Sequence, residues 1–177
     1  MQRRNALLAL AGAAAPLVFR PRHAAAQAPT IPGETPLDST TYIESTLQVG
    51  TLAKTLSQIA LQQSSSVSIR SFAQSEILEQ TAVAQSLTSN FNPPPAPLTP
   101  LQQQIVANLR SLSGDALNTQ YILDQIQGHE QLLAFQQGYL LFDTDPASEL
   151  VHTALLASAF IETHLLLLQD LGASGHL

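Results

Sequence analysis

The chain has 177 residues, 45% of them hydrophobic and 11% charged, with no cysteine, no tryptophan and a net charge of −6. That length supports one domain with a sizeable core, and the missing cysteines exclude a disulfide framework, a cysteine-zinc site, a thiol nucleophile and a lipoprotein anchor. Four of the seven basic residues (Arg3, Arg4, Arg20, Arg22) lie near the start. The rest of the chain sets Lys54, Arg70 and Arg110 against 13 acidic residues, a net charge of −10 that disfavours nucleic acid and anionic lipid as partners.

The opening Met1-Gln2-Arg3-Arg4-Asn5 is basic, Ala6 to Phe19 is apolar, and Ala24-Ala25-Ala26 offers a small-residue cleavage site. This pattern predicts a secretory signal over residues 1–26, cleaved after Ala26, and a periplasmic mature protein. The apolar run is too short to span a bilayer as a helix. Paired arginines before Asn-Ala-Leu-Leu are similar to a twin-arginine signal; general secretion is the alternative. Residues 27–40, with Pro29, Pro32, Gly33 and Pro36, read as a flexible leader.

The first helix is expected over residues 41–62, with an apolar stripe of Val49, Leu52, Leu56 and Ile59 and N-cap oxygens from Asp38 to Thr41. Ser64-Ser65-Ser66 breaks it and can cap a second helix over residues 67–91. One seam of that helix runs Ile69, Ala73, Glu76, Gln80, Val83, Leu87. Periodicity alone favours a rotated stripe, with Phe72, Ile77 and Ala84 inward and Glu76 and Gln80 at the edge. Prolines from Pro93 to Pro100 predict a stiff extended connector, followed by a short helix capped by Thr99, with Leu101, Ile105 and Leu109 as its buried side.

The third long helix, residues 115–142, carries one row of Asn118, Ile122, Gln125, His129, Leu132 and Gln136. Gly128 costs about 1 kcal/mol relative to alanine in a helix interior and is expected to mark the closest approach of a neighbour. The last helix, residues 147–171, is to start at Pro146 and follow the seam Leu150, Ala154, Ala157, Ile161, His164, Leu168, Leu171. Apolar residues surround it, so it is expected to be the most buried, or to pair two copies if a face stays open. His152, Glu162 and His164 interrupt it, which argues against a membrane span in the mature chain. The sum is one all-α up-down four-helix bundle over residues 41–171, with a proline-rich connector, a short extra helix and a tail over 172–177.

Phe72-Ala73-Gln74, Leu109 to Gly114, Tyr121 eight residues before His129, and His164-Leu165 resemble exported bacterial ferritin-like bundle proteins, a domain of unknown function often labelled outer membrane proteins. The resemblance covers residues 42–171. It implies an acidic-histidine pair at Glu79-Gln80, an aspartate-histidine pair at Gly128-His129, a histidine at His164, and acidic residues at Ala53 and Thr55. His129, His164 and Glu79 keep that pattern; the other positions depart from it.

A ferritin-type di-iron site needs two Glu-x-x-His pairs on facing helices, which this chain does not supply. A mononuclear site of His129, His164 and Glu76 or Glu79 would suit iron, zinc or copper. In the alternative, each histidine is a neutral core residue bonded to Gln80, Gln125 or Tyr121. Counting outward from the Asp143–Pro146 turn offsets the two histidines by roughly 6 Å, too far for comfortable sharing of one ion. With no complete catalytic constellation, the expected role is non-catalytic, in the cell envelope, through an unidentified partner or a small ligand between helices. The alternative is a degenerate ferritin-like metal binder using His129 and His164.

Overall fold

The computed structural model describes residues 36–145 and 148–173. The expected signal segment, most of the expected leader, Pro146 and most of the expected tail lie outside the described residues. Within them the chain is all-α: α1 Ser39–Gln63, α2 Val67–Phe91, α3 Pro100–Ser111, α4 Gly114–Phe142 and α5 Glu149–Ala173, with no strand.

Local chemistry sets the boundaries. The Asp38 carboxylate accepts from the Thr41 N–H at 2.9 Å and starts α1. Ser66 caps α2, while the Ser64 hydroxyl donates to Asn118 Oδ1 at 2.6 Å and ties that corner to α4. Asn92 ends α2 in the left-handed region (φ 43°), which asparagine tolerates. Residues 92–99 carry no regular structure, and Thr99 with Gln102 then forms a reciprocal capping box that opens α3.

Helices α1 and α2 pack along each other, as do α4 and α5, and α1 lies against α4. The fourth seam, between α2 and α5, is only lightly packed. Apolar clusters fill both ends. One gathers Leu56, Ile69, Phe72, Leu109, Leu117 and Leu168; the other gathers Tyr42, Leu47, Leu87, Tyr139, Leu150 and Ala154, with the Tyr42 and Tyr139 rings stacked at 4.4 Å. Between them lies a buried polar layer that includes Glu76, Gln80, Gln125, His129, Gln136 and His164.

Four expectations need correction. The inner face of α2 is the interrupted seam, with Glu76 fully buried and Gln80 nearly so, whereas Ile77 and Ala84 are only half-buried. Glu76 faces inward because His129 on α4 and His164 on α5 receive its carboxylate. Helix α5 is not the most buried helix: Leu155, Leu156, Phe160, Leu166 and Leu167 are exposed. Apolar residues ring it, but it packs closely only along α4, so one face is left uncovered. Leu101 is exposed, and Val106 with Leu109 forms the buried side of α3. A Cβ on Gly128 would meet only Val49, at an ordinary 3.9 Å. The tight place is Gly50 on α1, where a Cβ would collide with the Gln80 amide oxygen.

Candidate metal centre

Three helices deliver one donor each to a single point. Glu76 stands one turn after Phe72 on the inner face of α2, His129 is central in α4, and His164 lies on the inner seam of α5. His164 Nδ1 is 2.9 Å from Glu76 Oε2 and 3.1 Å from His129 Nε2, and His129 Nε2 is 3.2 Å from Glu76 Oε2. All three residues are buried. The offset inferred from the turn is thereby corrected. Helix α5 begins at Glu149, so the two histidines stand at about 20 and 22 Å from their helix ends. Side-chain reach covers that difference.

The outward nitrogens define the tautomers. His129 Nδ1–H donates to the Gln125 backbone carbonyl at 2.7 Å, which leaves Nε2 as the nitrogen turned to the cluster. His164 Nε2–H faces Glu79 Oε1 at 3.1 Å, and that oxygen also accepts from the Ser75 hydroxyl. Each imidazole is thus oriented from behind, one by a carbonyl and one by a carboxylate, as ligating histidines characteristically are. The Phe72 ring packs on His164 at 4.8 Å and limits its rotation.

Burial opposes ionisation of Glu76, but hydrogen bonds and charge from His129 and His164 outweigh it and bring the carboxyl down to about 2. Burial likewise opposes the His164 imidazolium. Hydrogen bonds and attraction from Glu76 and Glu79 override it and raise the group to about 9. A proton on His164 therefore holds two carboxylates together without metal. One atom is left over: Glu76 Oε1 is buried with no hydrogen-bond partner.

The remaining expected site residues are placed differently. Tyr121 and Gln125 do not bond to the histidines through their side chains. The Tyr121 hydroxyl meets Ser57 at 2.8 Å, and the Gln125 amide donates to Ser57 and to the Ala53 carbonyl, so both tie α4 to α1. Gln80 touches neither imidazole by a hydrogen bond. Sequence reasoning missed the Gln125 carbonyl and Phe72. A backbone carbonyl carries no residue signature, but the four-residue step from Phe72 to Glu76 places both on one face. The Glu-x-x-His spacing of Glu149 and His152 falls at the start of α5 with both residues exposed, outside the buried cluster.

Residues 22–171 match DUF4142, a domain of unknown function. The chain belongs to this family. No curated protein and no solved structure matches it. In this DUF4142 chain the two positions in α1 where acidic residues were expected hold Ala53, whose carbonyl receives the Gln125 amide, and Thr55, whose hydroxyl returns to the Thr51 carbonyl. The acidic member of this chain's buried cluster comes from α2, as Glu76.

Proposed function

We propose that this chain is an exported ferritin-like bundle protein that binds one borderline divalent transition ion through Glu76, His129 and His164. The observation that carries the reading is the triangle of donor atoms, with sides of 2.9, 3.1 and 3.2 Å. Donors bound at about 2.0–2.2 Å to one ion in tetrahedral or octahedral array stand roughly 3.0–3.4 Å apart, so the fit is close. The donor set, two imidazoles and a carboxylate, suits iron, zinc or copper. The free Glu76 Oε1 gives the carboxylate capacity for a second bond. Such an ion would act as a Lewis acid with coordination positions left open. The protein's part is to hold both imidazoles in the ligating tautomer and to exclude bulk water from the donors.

The test is metal content by mass spectrometry after incubating purified protein with zinc, iron(II) or copper and removing excess by gel filtration. About one ion per chain is expected, and His129→Ala with His164→Ala should abolish uptake. Unchanged stoichiometry in the double variant sinks the reading. Export belongs to the same proposal, supported by the basic opening and the Ala24–Ala26 site. Replacing Arg3 and Arg4 by lysine should retain the unprocessed chain in the cytoplasm if the twin-arginine route is used; unchanged periplasmic recovery would return the chain to general secretion.

We also read α5 as part of the fold and as a self-association face. By length and composition it could cross a membrane, with a third of its most apolar window buried. Supporting the fold reading, Leu150, Ala154, Ala157, Ile161, His164 and Leu168 lie in the protein interior. Exposed Glu162 among the exposed leucines favours a protein partner, a second copy, over lipid.

A further inference from the structure

The loosely packed seam between α2 and α5 forms a half-open cavity of about 300 Å³ next to the histidines. That is the small end of the range for small-molecule pockets, roughly 300–1,000 Å³. Its walls are mainly apolar, with Val83, Leu132, Ala157, Phe160 and Ile161 prominent. Most polar groups around it are already engaged. Gln136 accepts from the Tyr42 hydroxyl at 2.6 Å and donates to the Leu132 carbonyl at 3.2 Å, while Glu79, His129 and His164 bind one another.

Gln80 is the exception. It is only 9% exposed, it lines the cavity, and its amide makes no hydrogen bond among the described residues. The amide is reached from the pocket rather than sealed away from it, so a polar group entering there meets an amide that no neighbour holds. Its oxygen rests where Gly50 lacks a Cβ, at the boundary with a second cavity of about 260 Å³ between α1 and α2. No hydrogen bond holds it, so the amide can turn toward either space.

We propose that this cavity binds a small, uncharged, largely apolar molecule with one oxygen function, an alcohol, phenol or ketone, which hydrogen-bonds to Gln80. The amide supplies both a donor and an acceptor, which suits a neutral oxygen group. An anion would face Glu79 at the cavity wall, and a cation would compete with His164 for it. The proposal does not rest on the metal.

The test uses 1-naphthol, naphthalene and 1-naphthoate as probes, titrated by fluorescence into full-length protein with and without EDTA. The chain has no tryptophan, so probe emission is read without that background. One 1-naphthol per chain is expected, bound at least tenfold tighter than 1-naphthoate, in EDTA as well. Gln80→Leu should weaken 1-naphthol about tenfold while leaving naphthalene at least as tight. Ala82→Trp, at an exposed position on the rim, should block both probes with an unchanged circular dichroism melt. Absence of saturable 1-naphthol binding, or binding indifferent to both substitutions, overturns the proposal. Metal uptake measured on the same samples keeps its failure separate from failure of the metal reading.

Discussion

Glu76→Gln in metal-free protein isolates the electrostatics of the buried cluster. Glutamine keeps the volume but removes the charge that two imidazoles share at 2.9 and 3.2 Å. His164, raised from 6.5 to about 9, contributes stability fully present below pH 6.5 and lost as pH rises through about 9. A shift of that size corresponds to at most about 3.5 kcal/mol at roughly 1.4 kcal/mol per unit, reduced where solvent screens the pair. Glu76, lowered from 4.5 to about 2, contributes stability present above pH 4.5 and lost as pH falls through 2. These are largely one interaction seen from two partners, so the two effects do not add. Breaking a buried pair by removing one partner costs about 3–5 kcal/mol, which agrees in size. Urea unfolding in EDTA, followed by circular dichroism at pH 6 and pH 9, reads the effect. Wild-type protein should lose about 2–3 kcal/mol between those values, and Glu76→Gln should start lower and change far less. The window stays below the range in which Tyr42 and Tyr121, whose hydroxyls burial pushes up, begin to contribute. A flat wild-type profile, or an equally steep one in Glu76→Gln, refutes the reasoning.

Glu79→Gln leaves every donor of the triangle in place but weakens the support behind His164 Nε2. Metal affinity, measured by competition with a chelating dye, should fall about 10–100-fold with one ion still bound at saturation; wild-type affinity would show that Glu79 has no part in the site. Saturating the wild-type site at about 100 times Kd should raise stability by about 2.7 kcal/mol, and no shift should appear in His129→Ala with His164→Ala. Differential scanning calorimetry with and without the ion checks this, and equal shifts in both proteins would count against the three ligands. For α5, Leu156→Glu with Leu167→Glu should convert a dimer to a monomer in sedimentation velocity, since both side chains are exposed on one helix; a monomeric wild type would end that reading.

Much of the backbone could be read directly. Serines, threonines and prolines at 64–66 and 92–100 punctuate the helices by local hydrogen bonding and by restricted φ, effects complete within a few residues. The α4 row from Asn118 to Gln136 and the α5 seam from Leu150 to Leu168 are buried as their spacing requires, because a helical period identifies a face without reference to its partner.

The helices, the two histidine-bearing faces and the acidic body therefore follow from order along the chain alone. How those faces meet depends on packing between distant segments. Periodicity could not choose between two rotations of α2, since each presents apolar residues at helical spacing; the imidazoles waiting on α4 and α5 decide it, because a buried carboxylate is tolerated only where it is paired. Nor could it separate an α5 apolar on all sides from an α5 buried on all sides, as that depends on how many neighbours surround it. The axial meeting of His129 and His164 depends on helix register, and the room for Gln80 depends on Gly50, thirty residues earlier in the chain and in contact only after folding. Local rules make the helices; the long-range contacts between α1, α2, α4 and α5 make the site.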